Sequence, residues 1–195
     1  MTYAEVLGYD CGSVVHPNFP DQEKTLARKP SFSAAVVSVD THTKRYDLPS
    51  PRFNIEIKSQ PAWDSVFHPK PPIFARLVVD AVMELNIKDR TTIQSFDVRA
   101  LKEVHRLDST FSMALLVETS NGLEQDLQNL GFTPAIYSPY YKLVTPELVT
   151  QVHTKGMKII PWTVNDTTEM RNLMAMKVDG IITDYPNFIE TAEKK

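Results

Sequence analysis

Cysteine is almost absent: Cys11 is the only one in 195 residues, which excludes an internal disulfide framework and a cysteine-based zinc site. That position reads as an inert thiol beside a turn glycine. Glycine is scarce too. The six present contain no G-x-G-x-x-G, so the fingerprint of a dinucleotide fold is missing. G-x-S-x-G, H-E-x-x-H and the phosphate-binding P-loop are also lacking. No run approaches the ~18 consecutive apolar residues of a membrane span. The opening MTYAEVLGYDCG lacks the basic and apolar regions of a signal peptide. A soluble chain is expected, with the compartment left open between cytoplasm and periplasm. A formal charge of −3, with lysine and arginine spread along the chain, gives no basic footprint for nucleic acid or anionic membrane.

What is present fits a globular protein: 42% hydrophobic and 23% charged residues, enough for one substantial core and a single domain over 1–195. The most informative stretch is FNIEIKS, Phe53 to Ser59. Strand side chains alternate, so Asn54, Glu56 and Lys58 share one face while Phe53, Ile55 and Ile57 share the other. If the polar face is enclosed, Glu56 needs Lys58, a metal ion or both as compensation. A surface ion pair on a half-exposed strand is equally compatible with the stretch alone.

Before it, Thr2 and Glu5 fit a capping box for a short helix ending near Asp10. An irregular proline-bearing loop follows, then a helix capped by Ser31 or Ser33 and running to about Tyr46. After FNIEIKS comes a second proline-rich loop, SQPAWDSVFHPKPP, long enough to be functional or an insertion. From Pro72 onward helices and strands alternate: IFARLVVDAVMELNI, TTIQSF, VRALKEVHRLD opened by Asp97, SMALLVE, a helix opened by Asn121 and closed by Gly131, AIYS, a helix capped by Thr145, KIIPWTVN, TTEMRNLMAMK, GIITDYP and a short polar helix. Strand markers at Ile93, Met113, Ala135, Lys158 and Gly180 are spaced by 20, 22, 23 and 22 residues, the length of one βα unit. Such units imply a parallel sheet, either doubly wound or a (β/α)8 barrel. About six strands are counted where a closed barrel needs eight.

In a barrel, chemistry sits at the C-terminal ends of the strands. Those ends carry Glu56 and Lys58, Ser95 and Asp97, Glu118, Tyr140 and Tyr141, Trp162 and Asn165, and Asp184. Carboxylates with one lysine suit a hard cation, Mg²⁺ or Ca²⁺, and an anionic substrate. Simpler roles compete: Asp97 as a helix cap, Asp184 bonding turn amides, the tyrosines and Trp162 as packing. No histidine falls at a strand end. His42, His105 and His153 lie in predicted helices, and His16 and His68 in loops. An anion and a cation are in place without an acid or base for neutral pH.

FNIEIKS, TTIQSFD, IIPWTVN and GIITDYP, in this order and spacing, closely resemble the later segments of glycerophosphodiester phosphodiesterases, from about Tyr3 to Asn187. The resemblance implies a TIM-barrel fold and metal-dependent hydrolysis of glycerophosphodiesters to an alcohol and sn-glycerol 3-phosphate. It implies metal binding by Glu56 and by Glu118, phosphate contact by Lys58, and substrate contact by Trp162, with Phe96 at the site wall. The family's opening strands, with HRG, a Glu-x-Asp pair and a His-Asp pair, have no counterpart here. They supply the two histidines that act as acid and base, so no catalytic residue of the family is carried by this chain. The expectation is therefore a barrel of about six βα units with the first two strands missing, inactive alone and prone to self-association through open edges. A non-catalytic relative that binds a phosphodiester or another partner is the alternative.

Overall fold

The structure, a computed structural model, describes residues 1–20 and 22–193. Two compact units divide the chain, Met1–Pro51 and Arg52–Lys195.

In the first unit, helix α1 (Tyr3–Val6) opens with the expected capping box: Thr2 Oγ1 accepts the Glu5 N–H and Glu5 Oε2 accepts the Thr2 N–H. It ends at Val6, four residues short of the expected Asp10, whose carboxylate organises the loop that follows. Asp10 accepts the Ser13 hydroxyl and the N–H groups of Gly12, Ser13 and Ala27. These bonds, the Ser13 hydroxyl foremost, hold its carboxyl far below the usual range. Gly12 is required where the chain doubles back, since a Cβ there would lie 2.3 Å from the Thr25 carbonyl oxygen. Helix α2 (Phe32–Arg45) is capped by Ser31, which accepts the Ala34 N–H at 3.2 Å.

The second unit is a parallel α/β assembly. Strands β1 (Phe53–Glu56), β2 (Thr91–Ser95), β3 (Ser112–Val117), β4 (Ile136–Pro139) and β5 (Lys158–Ile159) form one sheet in the order β1-β2-β3-β4-β5. Each neighbouring pair is parallel. Helices α3 (Pro71–Glu84), α4 (Val98–Leu107), α5 (Leu123–Leu130), α6 (Pro146–Thr154) and α7 (Thr167–Ala175) supply the crossovers, and α8 (Asn187–Glu193) closes the described chain. Caps legible as polar residues before apolar periodicity hold: Asp97 on α4 and Thr145 on α6, with Pro146 in the first turn. Asn121 does not open α5. Gly122, at φ 107°, takes the cap position and donates its N–H to Ser120 Oγ.

KIIPWTVN is not one continuous strand. Pro161 has no N–H for the ladder, so regular pairing stops at Ile159, although Trp162 rejoins β4 by an isolated bridge to Tyr140. GIITDYP is not a regular strand either. It follows the sheet edge through three bonds, Asp179 N–H to Ile159, Ile182 N–H to Pro161 and Val164 N–H to Ile182. Among the described residues the sheet is thus five strands with a sixth segment alongside, open rather than closed.

Register sorts the side chains. Glu56 pairs with Gln94, Gln94 with Ala114, Ala114 with Ile136 and Ile136 with Lys158. One face therefore carries Asn54, Glu56, Thr92, Gln94, Ser112, Ala114, Leu116, Ile136, Ser138 and Lys158. Period two extends it to Lys58, Phe96, Glu118, Tyr140 and Trp162. The other face, with Ile57, Ile93, Met113, Leu115, Val117, Tyr137 and Ile159, is buried and forms the core with Ala75, Val79, Val82, Leu101, Val104, Leu130, Val152 and Met170 of the helices. At roughly 1.5–3 kcal/mol per fully buried aliphatic side chain, this face drives the assembly. The first face is mixed polar and apolar, and below the level of Glu56 it lines a concavity of about 680 Å³ with Asn54, Thr92, Gln94, Ser112, Ser138 and Lys158.

Candidate active site

The candidate residues stand at the C-terminal rim of that concave face. Glu56 Oε1 accepts from Lys58 Nζ at 2.8 Å, with the Glu56 side chain 22% exposed and that of Lys58 77% exposed. The FNIEIKS pair is therefore formed, with the ammonium free to meet solvent or a ligand. Lys58 lies past the last regular residue of β1, but the Ile57 N–H still bonds the Gln94 carbonyl at 2.9 Å. Ser95 Oγ donates to the Ile57 carbonyl at 2.6 Å. The backbone on which Lys58 sits is thus tied to β2 on both sides of Ile57.

Phe96, 42% exposed, meets the Trp162 ring edge-on at 5.1 Å, and Tyr140 lies 5.6 Å from Trp162 on a tilted plane. Trp162 Nε1 donates to the Ser138 carbonyl at 2.9 Å, and Ser138 Oγ donates to the Ile160 carbonyl at 2.5 Å. The indole is thereby fixed in rotation, with an apolar edge on each side. Tyr141 packs on Tyr140 at 4.9 Å, so four aromatic rings run along the rim. Glu118 lies on the same face but is exposed and joins neither group. Asn165 and Asp184 bond each other, Asn165 Nδ2 to Asp184 Oδ2 at 2.8 Å, and close the far end of the rim.

The site also has a support that sequence reasoning did not find. Asp97 caps α4 as expected, accepting the Arg99 N–H at 3.0 Å, yet it also receives Ser59 Oγ at 2.8 Å. The Arg99 guanidinium donates to both Asp97 oxygens, at 3.0 and 2.8 Å, and to both Asp64 oxygens, at 2.8 and 3.2 Å. Burial pushes the Asp97 carboxyl up, but the bonds from Arg99 and Ser59 outweigh it and the net shift is down. The Arg99 bonds hold the Asp64 carboxyl down against a smaller push from burial. The bonds that Arg99 donates to Asp97, then to Asp64, push its guanidinium up. Beside them His68 accepts the Gln60 N–H at Nε2 (3.0 Å), with Nδ1 directed at the Pro69 carbonyl (2.8 Å). The proline-rich loop after Lys58 is therefore clamped. The D-x-R spacing after a strand was visible in the sequence; its partner Asp64 was not.

A hard cation needs several oxygen ligands. Among the described residues no three of His, Cys, Asp and Glu come close enough to hold an ion, and Glu56 already accepts the lysine. The residues described do not make up a complete metal site. Among the described residues of the second unit, the histidines are engaged elsewhere: His153 bonds Asp179, His105 stacks on Phe132, and His68 serves the clamp.

Parallel βα units with a concave sheet face, and a lysine and aromatics at the C-terminal strand ends, define a TIM-barrel-like protein. The sequence pattern of the glycerophosphoryl diester phosphodiesterase family matches residues 1–188, and the chain belongs to that family. A glycerophosphodiester phosphodiesterase of Caldanaerobacter subterraneus is 31% identical over 144 residues, covering 73% of this chain and 55% of the relative. One from Bacillus altitudinis is 31% identical over 137 residues, 69% of this chain and 52% of the relative. The chain thus spans about half the length of these relatives. Among solved structures, a provisionally named glycerophosphoryl diester phosphodiesterase from Silicibacter pomeroyi superposes with a TM-score of 0.84 at 27% identity, over 98% of this chain and 67% of that one. An Oleispira antarctica phosphodiesterase in complex with its product sn-glycerol 3-phosphate has a TM-score of 0.74 at 19% identity, over 100% of this chain and 71% of that one. That second likeness concerns the fold.

Proposed function

We propose that this chain carries the glycerol-phosphate half of a glycerophosphodiester hydrolase site. Lys58 offers the ammonium to a phosphate oxygen, Trp162 and Phe96 form the wall against the glycerol carbons, and Glu56 offers one carboxylate oxygen to a divalent cation, Mg²⁺ or Ca²⁺. Glu118 is a further candidate for that cation. The reaction is hydrolysis of a glycerophosphodiester to an alcohol and sn-glycerol 3-phosphate. The observation that carries the reading is the shared face of Lys58, Phe96 and Trp162, with the two rings locked edge to face at 5.1 Å. Residues 1–195 are taken as one domain of this family, and the open sheet edges as surfaces for self-association.

Proton transfer is the missing part. The described histidines of the second unit, His68, His105 and His153, are bound to other partners, so the chain alone is expected to bind without turnover, and a purely binding relative is the second reading on that observation. Calorimetric titration with sn-glycerol 3-phosphate, with and without Mg²⁺ or Ca²⁺, is the test, together with hydrolysis of glycerophosphocholine. Lys58→Met and Trp162→Ala should each weaken binding about tenfold or more. Unchanged affinity in both variants would remove the reading, and turnover by the chain alone would remove the expected inactivity.

A further inference from the structure

The clamped loop ends in a tip that its clamp does not need. Between Trp63 and His68 the backbone turns tightly: Val66 and Phe67 N–H groups both bond the Trp63 carbonyl, and the Ser65 N–H bonds that of His68. Ser65 is held at φ 64°, a left-handed conformation uncommon for a residue with a side chain. The turn thrusts out Val66, 71% exposed, and Phe67, 77% exposed, with Trp63 edge-on to Phe67 at 5.7 Å. Single exposed apolar residues are ordinary. Three within five residues, on a strained turn anchored by an arginine bridging two carboxylates, are an apolar surface held in fixed position.

Its position relates it to the site. The loop begins at the residue after Lys58, and five residues span at most about 18 Å even when extended; the 3-10 turn at Pro61–Trp63 shortens this. The one carboxylate of the tip, Asp64, is turned into Arg99. Ser59 and Asp97 anchor the loop beside Phe96, so it continues the aromatic rim past Lys58. A ligand whose phosphate meets Lys58 and whose glycerol meets Trp162 has its second ester arm left for this side.

Resting on the function proposed above, we infer that Trp63, Val66 and Phe67 select the alcohol group of the phosphodiester and favour an apolar one, of alkyl or aryl type, over a cationic or hydroxylated one. The experiment is calorimetric titration of the full chain with three probes: sn-glycerol 3-phosphate, its octyl diester below the aggregation concentration, and its choline diester. The octyl diester should bind about tenfold tighter than the choline diester. In Phe67→Ser and Trp63→Ser this preference should fall to about twofold, with sn-glycerol 3-phosphate affinity unchanged. Equal affinities in wild type, a preference that survives both substitutions, or octyl binding that appears only above aggregation would overturn the inference and leave the proposed function standing. Failure of all three probes to bind would overturn both. The wild-type comparison decides the matter even if a variant fails to fold.

Discussion

Replacing Arg99 by methionine tests the clamp directly. The Asp97 side chain is only 6% exposed and receives two bonds from the guanidinium. Removing one partner of a buried pair costs about 3–5 kcal/mol when the remaining charge is sealed from water. Arg99 itself is 37% exposed, and Asp97 keeps bonds from Ser59 and a backbone N–H, so about 2 kcal/mol is the appropriate figure. For a chain of this size that is a fall in melting temperature of about 4–8 °C, read by circular dichroism at pH 7. Adding Asp97→Asn removes the stranded charge and should restore about half of the loss. The pH dependence has a definite sign. Asp97 and Asp64 both titrate below the ordinary 3.8 in the folded chain. Their contribution is therefore whole above that value and lost as pH falls through the folded pKa values. The gap between wild type and Arg99→Met should close in acid. A gap that persists undiminished well below pH 3.8, or a double variant less stable than the single one, would refute the reasoning.

Tyr137 is buried on the helix-covered face and donates to Asp126 Oδ2 at 2.7 Å. Burial pushes its phenol well above the ordinary 10, so this stability is present below pH 10 and is lost as pH rises beyond it. Tyr137→Phe should cost about 1 kcal/mol in urea unfolding and remove one late phase from the phenolate absorbance titration; a titration curve that keeps the late phase would reassign it. Gly131 ends α5 at φ 81° with only the Lys102 side chain near, at 3.8 Å. Gly131→Ala should cost about 1 kcal/mol and Gly131→Asn less, because the penalty is one of backbone conformation; equal losses would point to packing instead.

The alternation of helices and strands was legible because its signals are local: Ser31, Asp97 and Thr145 cap the helices next to them, and Gly131 ends its own. Period two along FNIEIKS was enough to set Glu56 and Lys58 on one face, and the registers of β2, β4 and β5 add Phe96, Tyr140 and Trp162. Strand extent was less legible. KIIPWTVN has the composition of a full strand, but Pro161 removes a ladder donor, and the last segment keeps only scattered bonds. The clamp was illegible because Arg99 reaches Asp64 across 35 residues, a meeting set by the path of an irregular loop. Glu118 illustrates the opposite limit: the correct face does not ensure company.

The spatial order of the strands also bears on how the chain acquires its structure. Each strand lies beside the one synthesised just before it, so the sheet can grow in the direction in which the ribosome releases the chain. Across β2 and β3 the register partners Thr92 and Ser112 are 20 residues apart; across β1 and β2, Asn54 and Thr92 are 38 apart, because the clamped loop is spliced between them. Doubling a loop adds only about 0.6 kcal/mol of closure entropy, but mainly local pairing favours rapid folding, and the β1–β2 junction is the step at which that locality is weakest. The same loop that shapes the rim therefore lengthens the stretch of chain that must close before β1, with its glutamate and lysine, joins the sheet.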